Sequence, residues 1–491
     1  MAGLCSTHLL SLTLLVAALL SNGEVLRFDL EREMSKEYNL SHLQQHDRLR
    51  NIRHIQPYSN NGAVNLPVEG SFDTGLYYTR IQLGSPPKEF CVQIDTGSDG
   101  LWVNCASCRD CQHESLLEAQ PAFFDPSTST TSGFISCSDD KICTGDGSGC
   151  SAQNHYTHYY HYGGGYWALV DYVYDVIHLE KSSGTSAINT STQIIFGCAT
   201  QRQGAESLNA PIDGIFGLGV QQISTINQLS ANGVMPPVFS HCLKRSGGGT
   251  LVLGQVEEQN IVYTPIVGGP NYNVELQSIY VNGQQVPIDP QAFGTNNGGT
   301  IFDSGTIMAH IVSEAHDPLI NAINQVVLTY ANVLMGDIQC YASTTRVFSI
   351  FPILRFNFAG GASMTLRPID YLIRQDSVDG AGHWCLGLLK SERVSVLGDL
   401  ILKDKIVVYD LLNQQIGWTD YDCSQPINIS ISKPIRRKSR PSRHLRHSII
   451  AIIVITSFLL CLLLIQRVLA CLGKARQEHT DSPAQEMEQF S

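Results

Sequence analysis

Two four-residue segments carry the residue types that paired-carboxylate acid–base chemistry needs: Asp95-Thr96-Gly97-Ser98 and Asp303-Ser304-Gly305-Thr306. Each acid closes an apolar run, Val92-Gln93-Ile94 in the first case and Thr300-Ile301-Phe302 in the second. An acid at a strand end, followed by a small hydroxyl residue and glycine, suits a tight turn whose backbone N–H groups point at the carboxylate. Two such turns meeting at a pseudo-twofold axis bring their carboxyls within hydrogen-bonding distance. Both cannot ionise cheaply, so they share a proton. One carboxyl then acts as general base on a water while the other donates to a substrate carbonyl. Either tetrad alone reads equally well as an Asx-type turn. The pattern is expected by chance roughly 0.03 times in a chain of this size, so a matched pair reads as chemistry.

The elements around the tetrads repeat as well. Ile215-Phe216-Gly217 follows the first and Val396-Leu397-Gly398 the second. The first interval is the longer, and its extra length falls where the cysteines cluster, so the chain reads as two homologous lobes, one with an insertion. Period-2 alternation from Tyr77 onward, broken by turns such as Asn282-Gly283, predicts a mostly β protein. One helix interrupts it, with Asp317 as cap, Pro318 at the first position and a stripe of Ile320, Ile323, Val327, Tyr330 and Leu334. Charged residues are only 15% of the 491, which fits a large sheet-built core. The net charge of −12 excludes a general nucleic-acid binder. Seven Lys or Arg residues between 433 and 446 make a basic collar on an otherwise acidic chain.

Residues 9–20 form an apolar run before small residues and predict a cleaved signal peptide. Residues 448–465 are apolar or small throughout and predict a retained membrane span rather than a lipid-anchor signal. The collar precedes the span, against the positive-inside rule. The signal peptide, the cysteines and the sequons at Asn39, Asn189 and Asn428 outweigh it and put the body in the lumen. The collar reads as a solvated juxtamembrane stretch, with Arg436-Arg437-Lys438 as an alternative shedding site. Twelve cysteines lie between the signal and the span: Cys91, Cys105, Cys108, Cys111, Cys137, Cys143, Cys150, Cys198, Cys242, Cys340, Cys385 and Cys423. In a secretory chain this even number predicts up to six disulfides and not zinc. His155, His158 and His161 lie in a strand that turns His158 away from the other two, so no metal is expected there.

From about Gly75 to Cys423 the sequence resembles the pepsin-like aspartic proteases, specifically the atypical nepenthesin-like, membrane-associated plant group. The resemblance rests on Asp95-Thr-Gly-Ser-Asp-Gly-Leu-Trp-Val103, Phe196-Gly-Cys198, Asp213-Gly-Ile-Phe-Gly-Leu-Gly219, Phe239-Ser-His-Cys-Leu243 and Gly249-Thr-Leu-Val-Leu-Gly254. It continues through Val396-Leu-Gly-Asp-Leu400, Val407-Val-Tyr-Asp410 and Ile416-Gly-Trp418. It implies a bilobal fold of two β lobes with short helices and a catalytic pair of Asp95 and Asp303. Thr96 and Ser304 would brace the loops across the axis, with Gly97 and Gly305 in the turns, while Ser98 and Thr306 bond the outer carboxylate oxygens. Tyr162 would be the flap tyrosine, reaching Trp102. The implied reaction is acidic, cofactor-free hydrolysis of polypeptides through a noncovalent tetrahedral intermediate. A catalytically silent binding or inhibitor-like protein on the same fold is the alternative.

Two departures from the family pattern concern the site. Where the flap usually reads Tyr-Gly-(Asp or Thr)-Gly-Ser, this chain has Tyr162-Gly163-Gly164-Gly165-Tyr166-Trp167, so the tip is expected to lose a polar contact and gain two bulky aromatics. Relatives carry a cysteine just upstream of the flap tyrosine, where this chain has His155-Tyr156-Thr157; Cys91 is therefore expected to join a rewired disulfide near the site. The expected organisation is a signal peptide at 1–23, prosegment and linker at 24–70, and N-terminal lobe at 71–245 with a cysteine-rich insert at 105–150. The C-terminal lobe at 246–427, basic linker at 428–447, transmembrane helix at 448–470 and cytoplasmic tail at 471–491 follow. The expected product is a monomeric, single-pass type I membrane protein of the secretory pathway.

Overall fold

A computed structural model describes residues 63–429 apart from 72–75, 110, 112–120, 138–146, 184–185, 204–211, 295–298, 328–331, 336–337, 343–346 and 377–381. The signal peptide, Asn39, nearly all of the prosegment, Cys143, the collar from residue 430, the 448–470 segment and the tail lie outside the described residues. Among the described residues no helix is long and apolar enough to cross a membrane.

The fold is mostly β, with short helices. A 15-stranded sheet dominates it. Its order starts at Val262–Pro265 and passes Gln415–Asp420, Lys405–Asp410, Val238–Leu243, Gly249–Leu253, Ala63–Ser71 and Leu76–Leu83. It then runs through Lys88–Asp95, Gly214–Gly217, Leu101–Asn104, Ser186–Gln203, Trp167–Ser183 and Tyr156–His161 to Ser148–Cys150, and the fifteenth strand, Gly133–Phe134, pairs with Trp167–Ser183 off this path. Strands from early and late in the chain therefore share one ladder: Val238–Leu243 pairs with Gly249–Leu253 on one side and Lys405–Asp410 on the other. The expected lobe boundary at 245/246 falls inside that hairpin.

The repeat read from sequence is a repeat of strand pairing. Lys88–Asp95 runs parallel to Gly214–Gly217, with Gly217 opposite Asp95, and Gly214–Gly217 pairs antiparallel with Leu101–Asn104. In a separate 5-stranded sheet, Thr300–Phe302 runs parallel to Ser395–Leu397, which pairs antiparallel with Ala309–Val312. Each acid thus emerges from a strand flanked by the apolar-apolar-Gly element that follows it in sequence. Gly217 and Gly398 sit where a Cβ would collide with the backbone of the acid's own loop, at Gly100 and at Thr306. No larger residue fits either place.

One continuous core underlies both acidic loops, including Val92, Ile94, Phe216, Phe302, Phe356, Leu397 and Tyr409. Full burial of such side chains stabilises by about 1.5–3 kcal/mol each. Alternation marks only Phe90, Val92 and Ile94 for burial, but Cys91, Gln93 and Asp95 are buried too. The strand lies in the middle of its sheet, covered on both faces.

The helix differs from its sequence reading. It spans Ser313–Val326, so it begins before Asp317 and holds Pro318 inside its second turn. The buried stripe is Ala315, Leu319 and Ile323. Leu334 lies beyond it in the strand Asn332–Met335 and is exposed. Packing of that stripe outweighs the one backbone hydrogen bond that proline removes.

Candidate active site

The two tetrads meet face to face. Gly97 N–H donates to Asp95 Oδ1 at 2.8 Å, and Ser98 Oγ donates to Asp95 Oδ2 at 2.5 Å. The second loop repeats this: Gly305 N–H donates to Asp303 Oδ1 at 2.7 Å, and Thr306 Oγ1 donates to Asp303 Oδ2 at 2.6 Å. Each glycine also makes room for the opposite acid. A Cβ on Gly97 would stand 2.6 Å from the Asp303 carboxyl carbon, and one on Gly305 would strike the Asp95 carboxylate.

Between the acids lies a buried reciprocal brace. Ser304 N–H donates to Thr96 Oγ1 at 2.9 Å, and Thr96 N–H donates to Ser304 Oγ at 3.2 Å. The Thr96 hydroxyl donates onward to the Phe302 carbonyl at 3.1 Å, and Ser304 Oγ donates to the Ile94 carbonyl at 3.2 Å. Each hydroxyl is thereby satisfied by the strand that carries the opposite acid, which fixes the separation of the two loops.

Asp95 is 5% exposed. Burial, and then the facing Asp303 carboxylate, push it up to about 7, although the Ser98 and Gly97 hydrogen bonds pull the other way. The pair therefore keeps a proton through the acidic range. Asp99, in the same loop, is pushed up to about 6 by burial.

Over the pair, the strands Tyr156–His161 and Trp167–Ser183 form a hairpin turned by Gly163–Gly165. Trp102 Nε1–H donates to the Tyr162 hydroxyl at 2.7 Å, and Tyr162 is close enough to Asp95 and Ser98 to feel both. The two extra aromatics do not crowd the tip. Tyr166 is buried, with its ring 5.3 Å from Tyr162 and 6.2 Å from Trp102. Trp167 packs outward, stacking on Tyr159 at 5.3 Å and donating to Gln203. With three glycines at the turn, both rings lie beyond it and pack back onto the hairpin.

Among the described residues five disulfides join Cys105 to Cys198, Cys108 to Cys111, Cys137 to Cys150, Cys242 to Cys423 and Cys340 to Cys385. They place the folding of this body in an oxidising compartment. The expected bridge to Cys91 is corrected: Cys91 is a buried free thiol. The backbone of the strand that ends at Asp95 is instead held without sulfur, because Asp213 accepts from Cys91 N–H at 2.8 Å and from Ala122 N–H at 2.7 Å. Asn189 and Asn428 are both exposed.

Three polar residues near the pair escaped the sequence reading. The Tyr409 hydroxyl lies 3.4 Å from Thr96 Oγ1 and 3.2 Å from His241 Nε2, beneath the brace. Asp399 is buried near Asp303, with burial and that neighbour driving its carboxyl far upward. All three sit in buried segments, His241 and Tyr409 in strands buried along their whole length and Asp399 beside Leu397 and Leu400. A polar group inside a buried run is the signal that points to them.

Two family models match the chain, xylanase inhibitor N-terminal over residues 77–255 and xylanase inhibitor C-terminal over residues 271–420. Aspartic proteinase 36 of Arabidopsis thaliana is 36% identical over 411 residues, covering 80% of this chain and 83% of that protein. The chain belongs to the pepsin-like aspartic protease family. This family member is also similar to aspartic proteinase nepenthesin-1 of Nepenthes gracilis, 26% identical over 390 residues and covering 74% of this chain and 82% of the relative. The solved structure of edgp shares the fold of the aspartic protease body, with a TM-score of 0.60 at 17% identity over 76% of this chain and 98% of that one.

Proposed function

We propose that the protein is an aspartic endopeptidase whose Asp95 and Asp303 carboxyls act as one catalytic unit. The carrying observation is the mutual enclosure of the two loops, each glycine lying against the other loop's carboxyl. A water held between the carboxyls loses a proton to the ionised one as its oxygen attacks the scissile carbonyl carbon. The protonated carboxyl gives its proton to the carbonyl oxygen, leaving a noncovalent tetrahedral intermediate. Collapse breaks the C–N bond as the amine takes a proton from the pair. Activity peaks in acid, because the pair must keep one proton and Asp95 is pushed up only to about 7. Ser98 and Thr306 hold the outer oxygens, and Tyr162, bonded to Trp102, closes over the substrate.

The body acts in the lumen or outside the cell as a monomer on polypeptides, without metal or cofactor. It is made with a signal peptide and prosegment, carries glycans at Asn39, Asn189 and Asn428, and is tethered by the 448–470 span. A second reading, a silent inhibitor-like binder, is favoured by the description shared by both family models and by the missing flap Asp or Thr. Assaying the purified protein for cleavage of an unstructured protein in acid, and in parallel for inhibition of a xylanase, separates them. The protease reading expects cleavage without inhibition; inhibition without cleavage contradicts it.

A further inference from the structure

Behind the flap lies a buried cation that the dyad chemistry does not use. Arg202, near the end of the strand Ser186–Gln203, is 8% exposed, and its enclosed Nη1 has no hydrogen-bond partner. Its backbone pairs with Ala168, two residues beyond Tyr166 on the flap hairpin. The Tyr166 hydroxyl is likewise buried, and its polar neighbour is the Arg202 side chain itself. Burial pushes that phenol up to about 12, and the nearby Arg202 guanidinium offsets part of the rise. Asp213 is the acid that feels Arg202, but each of its oxygens already accepts a backbone N–H, from Cys91 and from Ala122.

A buried guanidinium with an open donor is costly unless an anion or another acceptor completes it. The phenol beside it keeps its own O–H as a second donor. Tyr166 stacks on Tyr162, whose hydroxyl bonds Trp102 beside the Asp95 loop. The row from Asp95 through Tyr162 and Tyr166 therefore ends on Arg202. A planar guanidinium with a phenol beside it matches a carboxylate acceptor.

Resting on the endopeptidase reading, we infer that Arg202 and Tyr166 form a specificity subsite for an acidic side chain of the polypeptide substrate. Neither residue touches the reacting atoms; both select what is held beside them. The site favours Glu or Asp over the neutral amide, since only the carboxylate satisfies the buried charge as well as the two donors.

The test uses the full chain in detergent and matched peptides in which Glu, or its amide Gln, steps through every position on both sides of one cleavable bond. At about pH 5 the glutamate is largely ionised. Wild type is expected to prefer Glu over Gln by about tenfold or more in kcat/KM at one position. Arg202→Met brings that ratio to near one, Arg202→Lys keeps part of it, and Tyr166→Phe lowers it. Thermal melts confirm folding; if Arg202→Met fails to fold, the Lys and Phe variants carry the test. No positional preference for Glu, or a preference that survives in all three variants, overturns the inference. If no peptide is cleaved, the endopeptidase reading fails separately. The subsite is then read by fluorescence anisotropy with the same peptides, where tighter Glu binding lost in the variants supports it and equal Glu and Gln binding overturns it.

Discussion

Asp95 and its neighbours set the pH behaviour of the folded body. Asp95 is pushed up to about 7 and Asp99 to about 6, mainly by burial, so the native state holds protons that the unfolded chain releases above an ordinary carboxyl pKa of about 4. Each group's folded pKa is raised, so its stabilisation is fully present below about pH 4 and is lost as pH rises through about 6 and 7. Melting temperature is therefore expected to fall between about pH 4 and 7 in these groups' contribution, and Asp95→Asn should flatten the upper part of that slope. A Tm that rises across the window through the same residue would contradict the assignment. The hydroxyls of Thr96 and Ser304 each serve the opposite loop. Thr96→Ala or Ser304→Ala takes the partner from a buried N–H and a carbonyl of the opposite loop and should cost about 1–3 kcal/mol in denaturant unfolding, with activity falling as well.

At the scale of elements, the two acid loops were legible because a short chemical pattern repeats together with the apolar-Gly strand that must lie beside it. The flap was legible as a hairpin but not as packing. Sequence order puts Tyr166 and Trp167 just after the glycines, and only the register to Leu169 and beyond shows them folded back, one against Trp102 and one outward. Cys91 misled because an even count favours pairing, whereas Asp213 does the anchoring that a bridge would have done. The start of the helix was misplaced because Asp317-Pro318 imitates a cap, while the buried Ala315 belongs to the same stripe. Arg202 carried no sequence signal, since a lone arginine at a strand end is usually solvated. The disulfides permit an element-level prediction. Cys242–Cys423 spans 181 residues and ties the central hairpin to the chain after the last strand, so its removal should cost about 2–5 kcal/mol. Cys108–Cys111 spans 3 residues and closes little, so its double serine variant should melt close to wild type. Equal losses from both would contradict this reading.

At the scale of the molecule, the described body is one interlocked unit. The hairpin Val238–Leu243 and Gly249–Leu253 sits in a ladder between the first strand and the last two, and one core runs beneath both acids. Calorimetry of the body is expected to show a single cooperative transition, and two well-separated transitions would contradict it. The repeat read from sequence resolves the body into halves that meet at Asp95 and Asp303. The central claim is that Asp95 and Asp303 act together on a water. Its most direct measurement is the cleavage rate of an unstructured protein at about pH 4 by wild type, Asp95→Asn and Asp303→Asn, each checked for a cooperative melt well above the assay temperature. Losses of about a thousandfold or more in both variants are expected. Undiminished cleavage by either variant would contradict the claim.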